Sequence, residues 1–230
     1  MQDHEAIQTL LDARGLAYES LARAFAEEPN GDVALLFASE DFAKTCSVLD
    51  DGKGALPAAL ADVAAAARRQ GAQACKAEYG RWFVAQEADV YPWESVHVTG
   101  ERVLFQRCTL EVREAYRAQG FQAAGYPHEP DDHLATELHF MGRLASRAAR
   151  ECEAGEARAC AEALVASLGF LKDHLGKWAG SFADSFDDAL AKDGRAGEGR
   201  AFYAACARLV ERLVASDARL LEEVAFAVAV

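Results

Sequence analysis

Apolar residues three and four positions apart dominate this chain, most clearly between residues 164 and 186. The large apolar side chains in that segment form one stripe: Leu164, Leu168, Leu171, Leu175, Trp178, Phe182 and Phe186. This spacing places them on one face of an α-helix, which repeats about every 3.6 residues. The sequence has no strand-like alternation and no internal repeat. The stripe therefore predicts an all-α fold in which helices bury apolar faces against one another.

The same period predicts the other helices and the segments between them. Helices are expected over residues 3–28, 33–37, 57–84 with a break near Gly71, 101–119, 130–154 and 200–223. Residues 87–100 contain a proline and no helical period, so they are predicted as a loop. KDGRAGEG, at 192–199, is expected to be a flexible link or hinge. We predict one all-helical domain over residues 1–230.

The charge of the chain restricts its partners. The 230 residues carry a formal net charge of −13, with an isoelectric point near 4.9. Such a surface repels nucleic acid and anionic lipid and attracts basic peptides. Solubility alone would also explain the charge. We therefore expect no nucleic-acid partner, and a basic peptide stays open as a ligand.

Three sequence features agree on the cellular compartment in which the protein is expected. The first residues, MQDHEAIQTLLDARGLAYESL, lack the basic segment and apolar core of a secretory signal, and no apolar run is long enough to cross a membrane. The six cysteines form no CxxC pair and no zinc-finger spacing with histidine. Small buried thiols of an intracellular protein explain them best. We expect a cytoplasmic protein without stable membrane insertion.

The stretch YPHEPDDHLATELHFM has more polar groups than a helix start needs. Capping would explain Pro130 and the acids, which suit the positive end of a helix dipole. Asp132 and His133 could also form a catalytic pair, although no nucleophile motif such as GxSxG accompanies them. A metal site is disfavoured because Glu137 and His139 are two residues apart, and the di-iron pattern needs Glu-x-x-His. No metal or cofactor is predicted.

A second unusual stretch, YPWES at residues 91–95, places aromatic side chains beside an acid. Packing of this loop onto the core would explain Tyr91 and Trp93. A groove that holds an extended peptide would also explain them, with acids available for basic residues of the ligand. The two interpretations cannot be separated on these residues alone.

Three blocks in order resemble the TorD/DmsD/NarJ family of cytoplasmic redox-enzyme maturation chaperones. They are EYGRWFVAQEADVYPWESVHVTGERVLFQRCTLEVREAYRAQGF, EPDDHLATELHFM and FLKDHLGKWAGSF, between about Glu78 and Phe182. The resemblance implies a single helical bundle of the TorD type. It also implies that the protein binds the twin-arginine signal peptide and apo form of a molybdopterin-containing oxidoreductase. Export of that client would then be delayed until its cofactor is inserted.

The resemblance also implies a peptide-binding groove. The family's E-P-x-D-H block and proline–aromatic–x–Ser loop are present, whereas its usual Leu-Phe pair reads Trp-Phe here, which puts the peptide preference in question. The predicted binding residues are Trp82, Phe83, Tyr91, Pro92, Trp93, Glu94, Ser95, Glu129, Pro130, Asp132 and His133. EPDDH is expected to form the polar lip of the groove, and YPWES with RWF its apolar wall.

Two other functions stay open on the sequence. One is a small helical hydrolase that uses His133 with Asp132, and the other is a structural subunit of an oxidoreductase complex. Catalysis is not required by the resemblance, and the sequence lacks a Gly-rich phosphate-binding loop. The resemblance also admits a homodimer formed by helix exchange, for which the link at 192–199 would be the hinge. The identity of the client reductase is left open.

Overall fold

The computed structural model describes residues 2–85, 89–192 and 201–229. Within these ranges the regular structure is helical, as the apolar stripes predicted, and no strand forms. The α-helices are α1 Gln2–Ala26, α2 Gly31–Ala38, α3 Glu40–Cys46, α4 Ala55–Tyr79, α5 Glu94–Thr99, α6 Arg107–Ala118, α7 Leu134–Glu153, α8 Ala157–Asp173, α9 Leu175–Lys192 and α10 Phe202–Ala229. A 3₁₀ turn at Ser47–Leu49 and a π turn at Gly80–Val84 complete these elements.

The apolar faces of the helices pack around one core. Helix α1 lies along α7, α4 lies along α10, and α8 and α9 both contact α10. A buried ion pair ties the first helix to the last: Arg14 Nε donates to Asp217 Oδ1 at 2.7 Å, and Tyr18 Oη donates to Asp217 Oδ2 at 2.8 Å. Both charged side chains are fully buried. Because their hydrogen bonds are directional, the pair fixes how the two helices meet.

Some predicted boundaries hold and others are wrong. The predicted break in α4 is confirmed at Gly71, where φ is 70° and ψ is 169°. The segment predicted as a loop over 87–100 contains α5. The helix predicted from residue 101 begins at Arg107, and the one predicted from Pro130 begins at Leu134. Helix α3 was not predicted.

The long apolar stripe belongs to two helices. Helix α8 ends at Asp173, its C-cap His174 has a φ of −130° and a ψ of −96°, and α9 begins at Leu175. The stripe stays continuous because both helices turn their apolar faces to the same core, so periodicity alone cannot locate the break. The proposed hinge at 192–199 lies, apart from Lys192, outside the described residues, and the assignment of residues 1–230 to one domain stays a prediction.

Two further observations bear on the sequence-based expectations. All six cysteines are free and buried, which confirms the interpretation of the thiols as core side chains. Among the described residues, no helix combines the length and apolar character that a membrane span requires.

Candidate functional site

The two unusual sequence stretches meet in space. Trp93 and His133 form an isolated antiparallel β-bridge. The Glu94 N–H donates to the Asp132 carbonyl at 2.9 Å, and the Leu134 N–H donates to the Pro92 carbonyl at 2.8 Å. We call residues 91–95 and 129–133 together the motif junction. The YPWES and EPDDH stretches are thus two halves of one structure.

Each half of the junction satisfies the helix start of the other. The first N–H groups of a helix have no partner within that helix. Asp132 accepts from the first two N–H groups of α5, since its carbonyl takes that of Glu94 and its Oδ2 takes that of Ser95 at 2.9 Å. The first N–H of α7 donates to Pro92. The two helices therefore start at one point and hold each other's termini.

Helix capping explains part of EPDDH, but the residue that caps α7 is the histidine and not one of the acids. His133 is the N-cap of α7, because its Nδ1 accepts the Ala135 N–H at 3.1 Å. Asp131 instead pairs with Arg113, with Nη2 and Oδ2 2.7 Å apart. Asp132 caps the other helix. A histidine whose Nδ1 accepts a backbone N–H is held in one orientation and as the neutral ring.

Most polar groups of the junction are buried. Asp132 and Ser95 have no exposed surface, and Glu94 is 2% exposed. Asp132 was predicted as part of the polar lip, whereas the structure places its carboxylate inside the junction. Pro92 is buried as well. The role of these side chains in peptide binding stays a prediction, and their contacts show that they hold the junction together.

Behind the junction lies a cluster of buried acids. The Glu94 carboxylate lies 3.2 Å from Nδ1 of His174, and Trp178 Nε1 donates to Glu137 Oε2 at 3.2 Å. Burial, followed by repulsion from Glu94, raises the pKa of Glu137 well above its ordinary value. A protonated Glu137 carries no charge, which removes the repulsion between it and the buried Glu94. This proton allows two fully buried carboxyl groups to lie side by side.

The Asp132–His133 pair lacks the geometry of a catalytic dyad. Burial lowers the pKa of His133 to about 4, although the nearby Asp132 opposes the shift. Its Nδ1 is used by the Ala135 N–H, and the described contacts give no hydrogen bond between the two side chains. A general base needs a pKa nearer the working pH and an unprotonated ring nitrogen that is available, whereas the Nδ1 lone pair of neutral His133 is used by the backbone and its Nε2 carries the proton. In the described ranges, no group of three or more His, Cys, Asp or Glu could hold a metal ion.

The surface of the junction is formed by its aromatic residues and by Glu129. Tyr91, Trp93 and His133 are half-buried, and Glu129 is exposed. The Arg102 guanidinium lies 4.6 Å from the centre of the Tyr91 ring, and the Trp93 ring meets His133 edge-on with centroids 5.3 Å apart. A partner can reach these rings directly, together with exposed Glu129 and half-buried Pro130.

Of the two residues predicted as part of the groove wall beside YPWES, Trp82 lies in the core and Phe83 is half-buried against it. Trp82 is buried and its Nε1 donates to Glu78 Oε1 at 3.0 Å. Phe83 packs against Phe25, with ring centroids 6.0 Å apart, and also against Tyr203. These contacts make Trp82 part of the support beneath the site, whereas Phe83 keeps part of its surface accessible.

A chain of aromatic contacts connects this pair to the junction. Phe25 contacts Phe182, which contacts His97 of α5 with ring centroids 5.8 Å apart. His97 also stacks on Trp178, and its Nε2 lies 2.7 Å from the Tyr91 carbonyl. Sequence reasoning missed the roles of His97 and His174. The sequence feature that could have indicated a role for His174 is its position inside the apolar stripe, between Leu171 and Leu175.

A shallow apolar depression is lined by residues of α1 and by residues that flank the EPDDH segment in sequence. Its volume is about 230 Å³. Half of its ten lining residues are alanines, namely Ala22, Ala26, Ala123, Ala124 and Ala135. At its edge, His139 Nδ1 lies 2.8 Å from Glu19 Oε2. The depression is another surface beside the junction on which an apolar side chain could lie.

Comparisons with known proteins agree with the resemblance seen in the sequence. The family described as "Nitrate reductase delta subunit" matches residues 49–184, which include the whole motif junction. The chaperone protein TorD of Vibrio cholerae serotype O1 is 30% identical over 150 residues, covering 64% of this chain and 62% of the relative. The Tat proofreading chaperone DmsD of Salmonella typhimurium is 30% identical over 170 residues, covering 73% and 72%.

A third relative extends the same pattern at lower identity. The TorD chaperone of Photobacterium profundum is 26% identical over 142 residues, and the match covers 61% of its length. The chain thus spans somewhat under two thirds of the TorD relatives. Each of these three relatives is named as a chaperone. Because the family match covers more than half of the 230 residues, the chain belongs to the TorD/DmsD/NarJ family of chaperones.

Proposed function

We propose that the protein is a cytoplasmic chaperone for a molybdopterin-containing oxidoreductase. In this proposal it binds the twin-arginine signal peptide and the apo form of the client, and it delays export until the cofactor is inserted. One observation carries the proposal: the family match includes both halves of the motif junction, and relatives in this family are named for chaperone and Tat proofreading activity.

The physical properties of the chain suit such a ligand. A twin-arginine leader combines a basic segment with an apolar one. The net charge of −13 attracts the first, and the half-buried rings of Tyr91 and Trp93 offer contact to the second. Aromatic side chains contribute much binding energy in peptide interfaces because they bury large areas at little entropic cost.

The site residues divide into two proposed roles. Tyr91, Trp93, Glu129, Pro130 and His133 are accessible enough to contact the ligand. The remaining predicted residues support them from below, at the junction and in the aromatic core: Trp82, Phe83, Pro92, Glu94, Ser95 and Asp132. Substitution of Tyr91, Trp93, Glu129 or Pro130 should reduce affinity at constant stability, whereas substitution of the second group, or of His133 as the N-cap of α7, should also change stability.

Copurification tests the proposal. The tagged protein should retain an apo-oxidoreductase that carries an intact twin-arginine leader, and it should lose that client when the two arginines are replaced by lysine or glutamine. A protein that stays with the mature, exported enzyme would instead be a structural subunit, the alternative suggested by the name of the matched family. Retention of the client regardless of its leader would contradict the proposal that the leader is recognised.

A further inference from the structure

One face of this acidic protein is lined by arginines. Two adjoining depressions, of about 620 Å³ and 150 Å³, are lined by residues of α7, of α8 and of the chain around the end of α6. The charged residues in their lining are Arg143, Arg147, Arg150, Arg158 and Glu162. We call the two depressions and their four arginines the arginine face. Its basic lining contrasts with the chain, which has 24 basic and 37 acidic residues, and it includes no residue of the motif junction.

The arginines of α7 form a row. Arg143, Arg147 and Arg150 are four and three residues apart, so they lie on one side of the helix. At a rise of about 1.5 Å per residue, the row is about 10 Å long. Arg143 and Arg150 are exposed and Arg147 is half-buried. A second helix laid along α7 would meet these charges if its acids had the same spacing.

Two of the four arginines lack an acidic partner. The Nη1 group of Arg147 donates to Oε1 of Gln119 at 3.2 Å, and this amide oxygen is a neutral acceptor. Arg143 forms no ion pair with any residue in the described part of the chain. A guanidinium is always charged and has five N–H donors. Both side chains can therefore still bind a carboxylate.

The acids around the arginine face limit the extent of the positive region. Glu162 pairs with Arg158 and Glu151 pairs with Arg150, both at 3.1 Å. The exposed charged groups on the adjoining turns of α6 to α8 are mostly acidic, namely Glu114, Arg117, Glu153, Glu156 and Asp173. The positive charge is therefore confined to the middle of α7. Such a surface attracts a ligand with a few acids at one position rather than a long acidic tail.

Apolar side chains accompany the arginines. Val165 of α8 is 60% exposed and lines the larger depression together with Ala118, Ala161 and Ala166. Short side chains at a contact allow a second helix to approach closely. The arginine face thus offers charge on α7 and apolar contact on α8 side by side, an arrangement that suits an amphipathic helix.

We propose that the arginine face docks an acidic amphipathic helix of a partner protein. Acids of that helix would pair with Arg143 and Arg147, and its apolar side chains would cover Val165. The inference goes beyond the proposed function, because these arginines repel a basic leader, which the acidic remainder of the surface attracts. The protein would therefore bind two ligands of opposite charge on two separate surfaces.

Other occupants fit the arginine face less well. Nucleic acid would be repelled by a chain with a net charge of −13. A two-fold contact between copies would place two arginine rows against each other, because such an interface uses the same patch on both subunits. A small anion would leave the apolar side chains of α8 uncovered. An acidic amphipathic helix satisfies both parts of the face.

A labelled synthetic peptide tests the proposal. The probe is a helix-forming peptide of about 20 residues, made of alanine, leucine and glutamate, with its glutamates four and three residues apart on one side. Fluorescence anisotropy at fixed salt measures its affinity for the full chain. The wild type should bind this peptide. The same peptide with glutamine in place of glutamate should bind at least about fivefold more weakly, because it keeps the helix and loses the charge.

Arg143→Glu is the most informative variant. Arg143 is exposed and has no ion pair among the described residues, so the melting temperature should stay within a few degrees of wild type. Affinity for the glutamate peptide should fall by about fivefold or more. Arg107→Glu, at an exposed position outside the lining, changes the net charge equally and should change affinity less than about twofold. Val165→Ser should weaken binding by about two- to threefold through lost apolar contact.

Several results would overturn the proposal. The wild type might fail to bind the glutamate peptide, or Arg143→Glu and Arg107→Glu could weaken binding equally, which would reduce the effect to net charge. Displacement of the peptide by inorganic phosphate, but not by chloride at equal ionic strength, would make the face a small-anion site. Tighter binding of a single-stranded oligonucleotide would assign the face to nucleic acid. Self-association of the wild type that Arg143→Glu abolishes would make the partner a second copy.

Discussion

At the scale of single residues, Asp132 organises two segments of chain that are far apart in sequence. Its carbonyl and its carboxylate accept the first two N–H groups of α5. A helix of six residues is too short to be stable alone, because helix nucleation is costly and few hydrogen bonds follow it. The buried carboxylate of Asp132 is therefore one of the contacts that stabilise α5 and fix where it starts.

Replacement of Asp132 should reveal this structural task. Asp132→Ala removes the acceptor of the buried Ser95 N–H and should lower the free energy of unfolding by about 1–3 kcal/mol. Asp132→Asn keeps an acceptor oxygen and also removes a negative charge near Glu137. Its free energy of unfolding should therefore fall much less than that of Asp132→Ala. Urea unfolding of both variants measures the difference. Equal losses would mean that the charge, and not the hydrogen bond, is what the junction needs.

Glu137 should make stability depend on pH. Its pKa is raised in the folded protein by burial and by Glu94, so the folded state binds a proton that the unfolded state has released above about pH 4.5. The sign follows from linkage: the stabilisation relative to an ionised group is complete below the unfolded pKa and is lost as pH rises towards the folded pKa. The slope for one proton is at most about 1.4 kcal/mol per pH unit.

Glu137→Gln should remove this dependence. Glutamine is neutral beside Glu94 at every pH, so the stability of the variant relative to wild type should rise between pH 5 and pH 8. Glu101→Gln, at an exposed site, is the control and should show no such trend. Thermal or urea unfolding at several pH values gives the comparison. Parallel curves for Glu137→Gln and wild type would mean that Glu137 is ionised in the fold.

At the scale of elements, the turn between α8 and α9 depends on one close approach. A Cβ at Gly176 would overlap the Leu171 carbonyl oxygen, which is backbone and cannot move aside cheaply. Gly176→Ala should therefore destabilise the protein by about 1–3 kcal/mol through overpacking. Gly169→Ala, inside α8 with open space at its Cβ, should stabilise it by about 0.5–1 kcal/mol. Opposite shifts in melting temperature are expected, and a gain for both would contradict this explanation.

The sequence predicts helices well but not how their ends are held. Helical periodicity located the main helices, and Gly71 marked a real break, because both signals are local. The end of α8 at Asp173 was missed since the apolar stripe continues across it. Asp132 and Ser95 are 37 residues apart, and no local pattern indicates that one caps the helix of the other. The same holds for the burial of Trp82, which its motif suggested as a groove residue.

At the scale of the whole molecule, the proposed ligand should be attracted by the overall charge as well as by local contacts. The net charge of −13 creates a field that a basic leader meets before it touches the surface. Salt screens such a field beyond about 8–10 Å at 0.10–0.15 M. Association should therefore slow as salt rises, whereas dissociation should change less because apolar contacts hold the bound peptide.

Stopped-flow measurements with a fluorescent leader peptide would resolve the two rates. We expect the association rate to fall at least several-fold between roughly 0.05 and 0.5 M salt. A leader whose arginines are replaced by glutamine is the matched control, since it keeps the apolar segment but loses the charge that the field acts on. Its association should be slower at low salt and nearly independent of salt. If the association rate of the natural leader does not change with salt concentration, the acidic surface serves solubility. Recognition would then rely on local contacts alone.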